Sequence, residues 1–296
     1  MVEPDQEHER QTLLLSVDFE DWHQLVRRRC GIADWETPGP ALGRQTRALL
    51  ELLNGLGARA TFFVLGMAAR AYPDLVSEIA SAGHEIACHG DRHLPVHSQT
   101  PAEFAEDLRS ARQTIEELTA VRPAGYRAPA FSITREADWA FAVLAQEGFT
   151  YDSSQHDSPR IRRRVTPTSA SPHRLEPAAG LSLWEFPVAV WRAAYARLPV
   201  GGASYWAVVP RPLVLRELRQ AGRYAGLYLH PHELDPDPLR PGLPDDAAPA
   251  QRARAALRAL QRNSARRAAS GTLRAIAGSF ELIPYGEAHA RLAGSS

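Results

Sequence analysis

The sequence predicts an α/β protein organised around a parallel sheet or barrel. Short apolar runs alternate along the chain with longer segments of helical apolar spacing, the rhythm of repeated βα units. Acidic, histidine and arginine side chains gather where the apolar runs stop, and in α/β folds the C-terminal strand ends build the site. The 296 residues also suit one barrel, a fold of about 250 residues before extensions.

Residues 1–11 are polar and acidic and predict a disordered tail. Thr12–Val17 (TLLLSV) is an apolar run that stops abruptly at acids, as a buried parallel strand does. Arg44–Leu56 repeats leucine at helical spacing, with Gly57 closing it. Ala60–Leu65 is a second strand, Pro73–Ala82 a helix closed by Gly83, and Glu85–Cys88 a third strand. Thr100–Ala120 is a helix with a marked start: Thr100 as N-cap, Pro101 at the first position and Glu103 completing a capping box. Gly125–Ala128 enters a strand-end loop, Glu136–Glu147 is a helix, and a strand follows near Phe149–Tyr151. Residues 153–180, rich in Pro, Ser and Arg, break the rhythm and predict a long surface loop. Leu181–Val190 is a strand, Pro212–Ala221 a helix and Gly226–His230 a strand ending on histidine. Residues 235–248, punctuated by Pro236, Pro238, Pro241 and Pro244, resemble a linker. Residues 251–277 form a basic helical stretch and Phe280–Ile283 a last strand. The expected organisation is a tail at 1–11, a barrel at 12–235, and a C-terminal helical extension at 236–296 that completes the same domain.

Composition excludes several function classes. The 34 basic and 34 acidic residues balance, which argues against a nucleic-acid binder driven by bulk charge. Every strong base is Arg and none is Lys, so Schiff-base and P-loop lysine mechanisms are ruled out. The cysteines, Cys30 and Cys88, are too few for a disulfide framework or a Cys-rich zinc site. No apolar run is long enough for a transmembrane helix. The start, MVEPDQEHER, has neither a basic nor an apolar signal region, so the expected location is cytoplasmic. Oligomeric state is not legible.

Four strand ends carry the chemistry. Asp18-Phe19-Glu20-Asp21 follows the first strand, and clustered carboxylates there need a cation, an arginine or solvent to compensate them; the ordinary alternative is a turn with a helix-capping acid. His89-Gly90-Asp91-Arg92-His93 follows the third, and an HxxxH spacing brings both imidazoles within reach of one ion. His97 follows at the same spacing and reads as an ordinary surface histidine. Arg127, locked by Pro129 in RAPAF, is a rigid cationic arm able to neutralise an acid of the first cluster. His230, in His230-Pro231-His232-Glu233, ends an apolar strand and suits a general acid or base. Together they form a His₂-carboxylate site with an open position, a spare carboxylate, an arginine and a further histidine. That set suits metal-assisted hydrolysis.

The segments SVDFEDW, FFVLG, GHEIACHGDRH, GYRAPAFS, YDSS and YLHPHELDP, in this order between Leu13 and Asp235, resemble the polysaccharide deacetylases, the NodB-homology group of carbohydrate esterases. Their wording is similar to the subgroup associated with exopolysaccharide and exosortase loci. The resemblance implies a distorted (β/α)7-type barrel and one divalent metal, usually zinc, with cobalt, nickel, manganese or iron as alternatives. It implies hydrolysis of the amide of an N-acetylated sugar, in an oligosaccharide, polysaccharide or sugar conjugate. By this resemblance His89 and His93 are metal ligands, Asp18 the catalytic base, and Glu20 or Asp21 the metal carboxylate. Arg127 pairs with the base, His230 is the general acid, and the Ala130 N–H is the oxyanion donor. Glu185 and Pro187, in LWEFPV, lie on the strand supporting the acid histidine. Trp184, Phe131 and His232 belong to the pocket wall.

The chain departs from the common pattern at four places. The acidic motif is DFED; Gly90 replaces a hydroxyl residue; Ala130 replaces an aromatic; His232 replaces a tryptophan. Two other readings stand beside the deacetylase: an allantoinase-like amidohydrolase of a small cyclic or linear amide, and a non-catalytic sugar-binding barrel.

Overall fold

The computed structural model describes residues 10–156, 169–192 and 197–294. Its frame is a parallel sheet. The strands are β1 (Thr12–Phe19), β2 (Thr61–Val64), β3 (Glu85–Cys88), β4 (Gly125–Tyr126), β5 (Tyr151–Asp152), β6 (His173–Ala178), β7 (Leu181–Glu185), β8 (Trp191–Arg192), β9 (Arg197–Leu198), β10 (Ala225–Leu229) and β11 (Glu281–Ile283). In space they run β10-β1-β2-β3-β4-β5-β7-β6, with β11 beside the start of β1. Within this sheet all pair in parallel except β6, antiparallel to β7, while β8 and β9 form a separate antiparallel pair. Among the described residues no closed ladder joins the two ends. Instead an isolated bridge links Val188, just past β7, to Gly226 of β10, so the barrel expected from the sequence is strongly distorted.

The helices are α1 (Trp22–Arg29), α2 (Leu42–Gly55), α3 (Gly66–Ala71), α4 (Pro73–Ser81), α5 (Pro101–Thr119), α6 (Trp139–Gln146), α7 (Arg211–Gln220), α8 (Pro249–Ala265), α9 (Ala269–Ser279) and α10 (Tyr285–Ala293). The capping box of α5 forms as the sequence predicts, Thr100 Oγ1 accepting from Glu103 N and Glu103 accepting from Thr100 N. None of these helices is long and apolar enough to cross a membrane.

Strand alternation sorts the core and positions the site. On β1, Leu13, Leu15, Val17 and Phe19 join the main cluster with Leu49, Leu53, Phe104 and Leu108 from the helices. Leu14, on the opposite face, packs with Phe63, Ala87, Tyr151, Phe186 and Tyr285. Ser16 and Asp18 share that second face by their period of two, and both meet Arg127 there.

Several expectations need correction. Residues 153–180 are not one surface loop: Ser153–His156 are buried and His173–Ala178 form β6, while 157–168 lie outside the described residues. The HRLEPA segment alternates half-buried and exposed residues and carries Pro177, both compatible with the edge position that β6 occupies. The strand expected to reach Val190 stops at Glu185, because Pro187 follows. Residues 235–248 are no linker. Leu239 and Ala247 pack with Trp22, Val26 and Ile32, and buried Asp235 receives Arg44 and Gln45. The basic stretch at 251–277 is two helices, α8 and α9, separated by a short 3-10 turn. Helices α1 and α3 go beyond what the sequence predicts.

Candidate active site

The strand ends converge on a cleft of about 360 Å³ whose walls include Asp18, Glu20, His89, His93, Phe131 and His230. Asp18 is the last residue but one of β1 and lies on its inner face. Arg127, one residue beyond β4, is fully buried. Its Nη1 donates to Asp18 Oδ1 at 2.8 Å and Ser16 Oγ at 2.6 Å. Its Nε donates to Ser153 O, and its Nη2 to Ser153 Oγ and to the Tyr285 hydroxyl. All five guanidinium protons thus have acceptors, and the plane lies 4.1 Å above the Phe63 ring. The expected pairing of Arg127 with Asp18 is present.

Glu20 turns into the cleft and meets both histidines of the HxxxH segment. Its Oε2 lies 2.7 Å from His93 Nε2 and 3.7 Å from His89 Nε2. Burial would raise its pKa, but the facing imidazoles of His93 and His89 hold it well below the usual carboxylate range. His89 Nδ1 lies 2.8 Å from the Arg127 carbonyl, a bond that fixes the ring and leaves Nε2 toward Glu20. One donor atom each from Glu20, His89 and His93 falls within 4.8 Å of the others, all on buried residues. Two imidazole nitrogens and one carboxylate, open on one side, fit a divalent ion of the zinc type.

Asp21 does not join this group. Its carboxylate accepts from His23 N and Gly39 N, which makes it the N-cap of α1. Two successive residues beyond a strand point apart, and the helix start claims the second. Thus the ordinary alternative for this cluster, a capping acid, holds for Asp21 but not for Glu20.

The loop bearing His93 is held from outside. Asp91 N and Arg92 N donate to Asp107 of α5, and Arg28 of α1 donates to the carbonyls of Arg92 and His93. Gly90 has φ +79°, and a Cβ there would sit 2.7 Å from Asp107 Oδ2. Asp107 therefore occupies the space where a side chain at position 90 would sit. Sequence reasoning missed it, since an acid inside an amphipathic helix looks solvated.

His230 ends β10, and its Nε2 points at both acids, 3.4 Å from Glu20 Oε1 and 3.9 Å from Asp18 Oδ2. Its Nδ1 lies 3.1 Å from Glu233 Oε2, which also accepts from His230 N. Burial alone would depress the His230 pKa; Glu233, Glu20 and Asp18 outweigh it and push the value up to about 9. Glu233 was the missed partner, detectable as the carboxylate three residues on in HPHE.

Glu185 does not support His230. It is fully buried beside Asp152, its register partner across β5 and β7. Burial, then Asp152, raises its pKa well above the usual range. Glu185 accepts from Gln155 N, and Asp152 accepts from Ser154 N and Oγ. The pair thereby fixes the segment that supplies Ser153 to Arg127. Trp184 also lies away from the cleft, packed against Phe186 and the cluster that holds Tyr151. His97 contacts the Ser132 carbonyl and stays outside.

Ala130 and Phe131 line the cleft in the left-handed region, with φ 53° at both. Phe131 packs edge-on against His156 and Tyr228. His232 lies beside His230, ring centroids 5.1 Å apart. Burial and the charge of His230 lower its pKa to about 3, and among the described residues neither ring nitrogen has a hydrogen-bond partner. His230, His232 and Glu233 also fall within 4.8 Å of one another, but the bond between His230 Nδ1 and Glu233 already occupies that grouping.

Residues 38–151 match the polysaccharide deacetylase family, and residues 154–276 match a domain of unknown function, DUF3473. The peptidoglycan deacetylase-like protein FGM2 of Gibberella zeae is 31% identical over 153 residues, 49% of this chain and 44% of that protein. The peptidoglycan-N-acetylglucosamine deacetylase of Bacillus cereus is 29% identical over 116 residues, 39% of this chain and 53% of that protein. The chain therefore spans about half or less of the curated relatives it matches. A Mycobacterium smegmatis protein provisionally named a polysaccharide deacetylase shares the fold, with TM-score 0.58 and 21% identity over 94% of this chain and 87% of that one.

Proposed function

We propose that the chain, whose residues 38–151 match the polysaccharide deacetylase family, is a metal-dependent hydrolase that removes acetyl groups from an N-acetylated sugar. The observation that carries this reading is the convergence of Glu20, His89 and His93 with Asp18 and His230 in one cleft. The names of the curated relatives support an N-acetylated carbohydrate as substrate.

Glu20, His89 and His93 would hold the ion, which supplies a Lewis acid for the acetyl carbonyl and for water. Asp18 takes the proton of the attacking water. Its Oδ1 is tied to Arg127, so Oδ2 is the oxygen free to act. The Ala130 N–H donates to the oxygen on which negative charge develops. His230, protonated at neutral pH by its acidic neighbours, gives a proton to the departing amine, and Glu233 holds the ring in place. Phe131 and Tyr228 offer aromatic faces for the acetamido group and sugar ring.

The test is acetate release from N-acetylglucosamine oligosaccharides after chelation and after return of zinc, cobalt, nickel, manganese or iron. Metal-restored release supports the reading. Hydrolysis of small cyclic amides without acetate release would favour the amidohydrolase, and sugar binding without turnover would favour the silent barrel; the gathering of all five polar groups favours neither.

A further inference from the structure

We propose that the rim of the cleft is an anion subsite built from Arg29, Arg258 and Arg262, so that the N-acetylated substrate carries a phosphate or carboxylate close to the sugar that is deacetylated. The sugar in this statement rests on the deacetylase reading; the anion does not.

Val26 and Cys30, on and just past α1, share an apolar cluster with Ala255 and Ala259 of α8. Alanines at that spacing let the two helices approach closely, and the approach sets their arginines at one mouth. Arg29 of α1 and Arg258 and Arg262 of α8 all line the cleft that holds Asp18 and Glu20. Arg29 feels the favourable charge of Glu20 and the opposing charges of Arg258 and Arg262.

Three like charges are costly together unless something offsets them. Arg262 is partly offset, donating to Ser204 and lying 3.7 Å from Glu233. Among the described residues Arg29 and Arg258 have neither a hydrogen-bond acceptor nor an ion-pair partner. Arg47 is matched by Glu78 and Arg92 by Glu36; what sets Arg29 and Arg258 apart is that both line the one cleft. Among the acids of the cleft, Asp18 is bonded to Arg127, and Glu20, whose charge favours the Arg29 guanidinium, makes its close contacts with the histidines. An anionic oxygen cluster supplied by the ligand completes the set, since guanidinium groups bind phosphate and carboxylate through paired N–H donors.

The test titrates metal-free protein with N-acetylglucosamine, with N-acetylglucosamine 1-phosphate, and with a disaccharide of N-acetylglucosamine and glucuronate, using calorimetry. An anionic ligand is expected to bind at least about tenfold tighter than the neutral sugar. Arg29→Gln and Arg258→Gln are each expected to cost about tenfold, as one charge-assisted contact does, and added salt is expected to narrow the gap. Preference for the phosphate or for the glucuronate ligand identifies the source. Equal affinity for neutral and anionic sugars, or variants that keep the preference, overturns the subsite. Acetate release by the metal-loaded protein is measured separately on the neutral oligosaccharide. Anion preference without acetate release from any ligand would sink the deacetylase reading and leave the subsite, and the reverse result would do the opposite.

Discussion

Arg127 reaches Asp18 through one nitrogen, Nη1, 2.8 Å from Oδ1, and the second carboxylate oxygen is left facing His230 Nε2 at 3.9 Å. The arginine restrains one oxygen of the acid and leaves the other for chemistry. Replacing Arg127 with Leu strands Asp18 as a buried unpaired charge, and a loss of about 3–5 kcal/mol is expected. Arg127→Lys keeps the charge but not the fork and should fall between. Urea unfolding midpoints at constant slope give the answer; a wild-type midpoint for Arg127→Leu would remove the network from the account of stability.

The neighbouring acids should separate by their metal content. Glu20→Gln and His93→Ala are expected to lose most of the bound ion and nearly all turnover, each removing one ligand of three. Asp18→Asn should keep the ion and lose activity. Asp21→Asn should keep both, at a stability cost of at most about 0.5–2 kcal/mol for a weakened cap. Elemental analysis of the four proteins sorts them, and an empty site in Asp18→Asn would exchange the assigned roles.

The His230–Glu233 pair predicts a pH effect with a definite sign. Burial works against the protonated ring, and Glu233 leads the groups that push its pKa from 6.5 up to about 9. In Glu233→Gln burial meets less opposition, so the pKa falls. The alkaline limb of kcat/KM is then expected to move to lower pH. The same pair contributes stability that is fully present below about pH 6.5 and is lost as pH rises through about 9. A pH–rate profile of the variant that keeps the wild-type alkaline limb would exclude Glu233 as the group that tunes His230.

Gly90→Ala should disturb the metal loop without touching a ligand. The residue has φ +79° and its new methyl would meet the Asp107 carboxylate. A cost of about 1–3 kcal/mol is expected for the strained backbone, with weaker metal binding through displaced His93. Competition against a chromogenic chelator measures this, and unchanged affinity would mean that the loop relaxes elsewhere.

Much of the site is legible because its residues stand at strand ends. The abrupt stop of TLLLSV, the end of EIAC and the end of GLYL mark Asp18, His89 and His230 through apolar patterning alone. Adjacent acids are harder: nothing within Asp18–Asp21 says that α1 begins at Trp22 and takes Asp21 for its cap. Sequence reasoning points to Glu185, on a distant strand, as the support for His230, when the local carboxylate at Glu233 supplies it. Trp184 is misplaced for a different reason: it packs against the cluster of Tyr151 and Phe186, on the face that Asp18 shares, but does not reach the cleft. Arg258 and Arg262 carry no strand-end mark. They sit in an alanine–arginine helix, and only the packing of α8 on α1 brings them to the cleft.

The hydroxyl of Tyr285 beneath Arg127 ties the reaction centre to the order in which the polypeptide is made. Translation delivers the guanidinium 158 residues before this acceptor. Until the ribosome has passed position 285, the nascent chain has one donor of Arg127 without its partner, and β11 has not yet docked beside β1. On the proposed function, catalytic competence is accordingly a late event in biosynthesis. A stalled or prematurely terminated product can contain every ligand and both proton-transfer groups and still lack the finished support on which Asp18 depends.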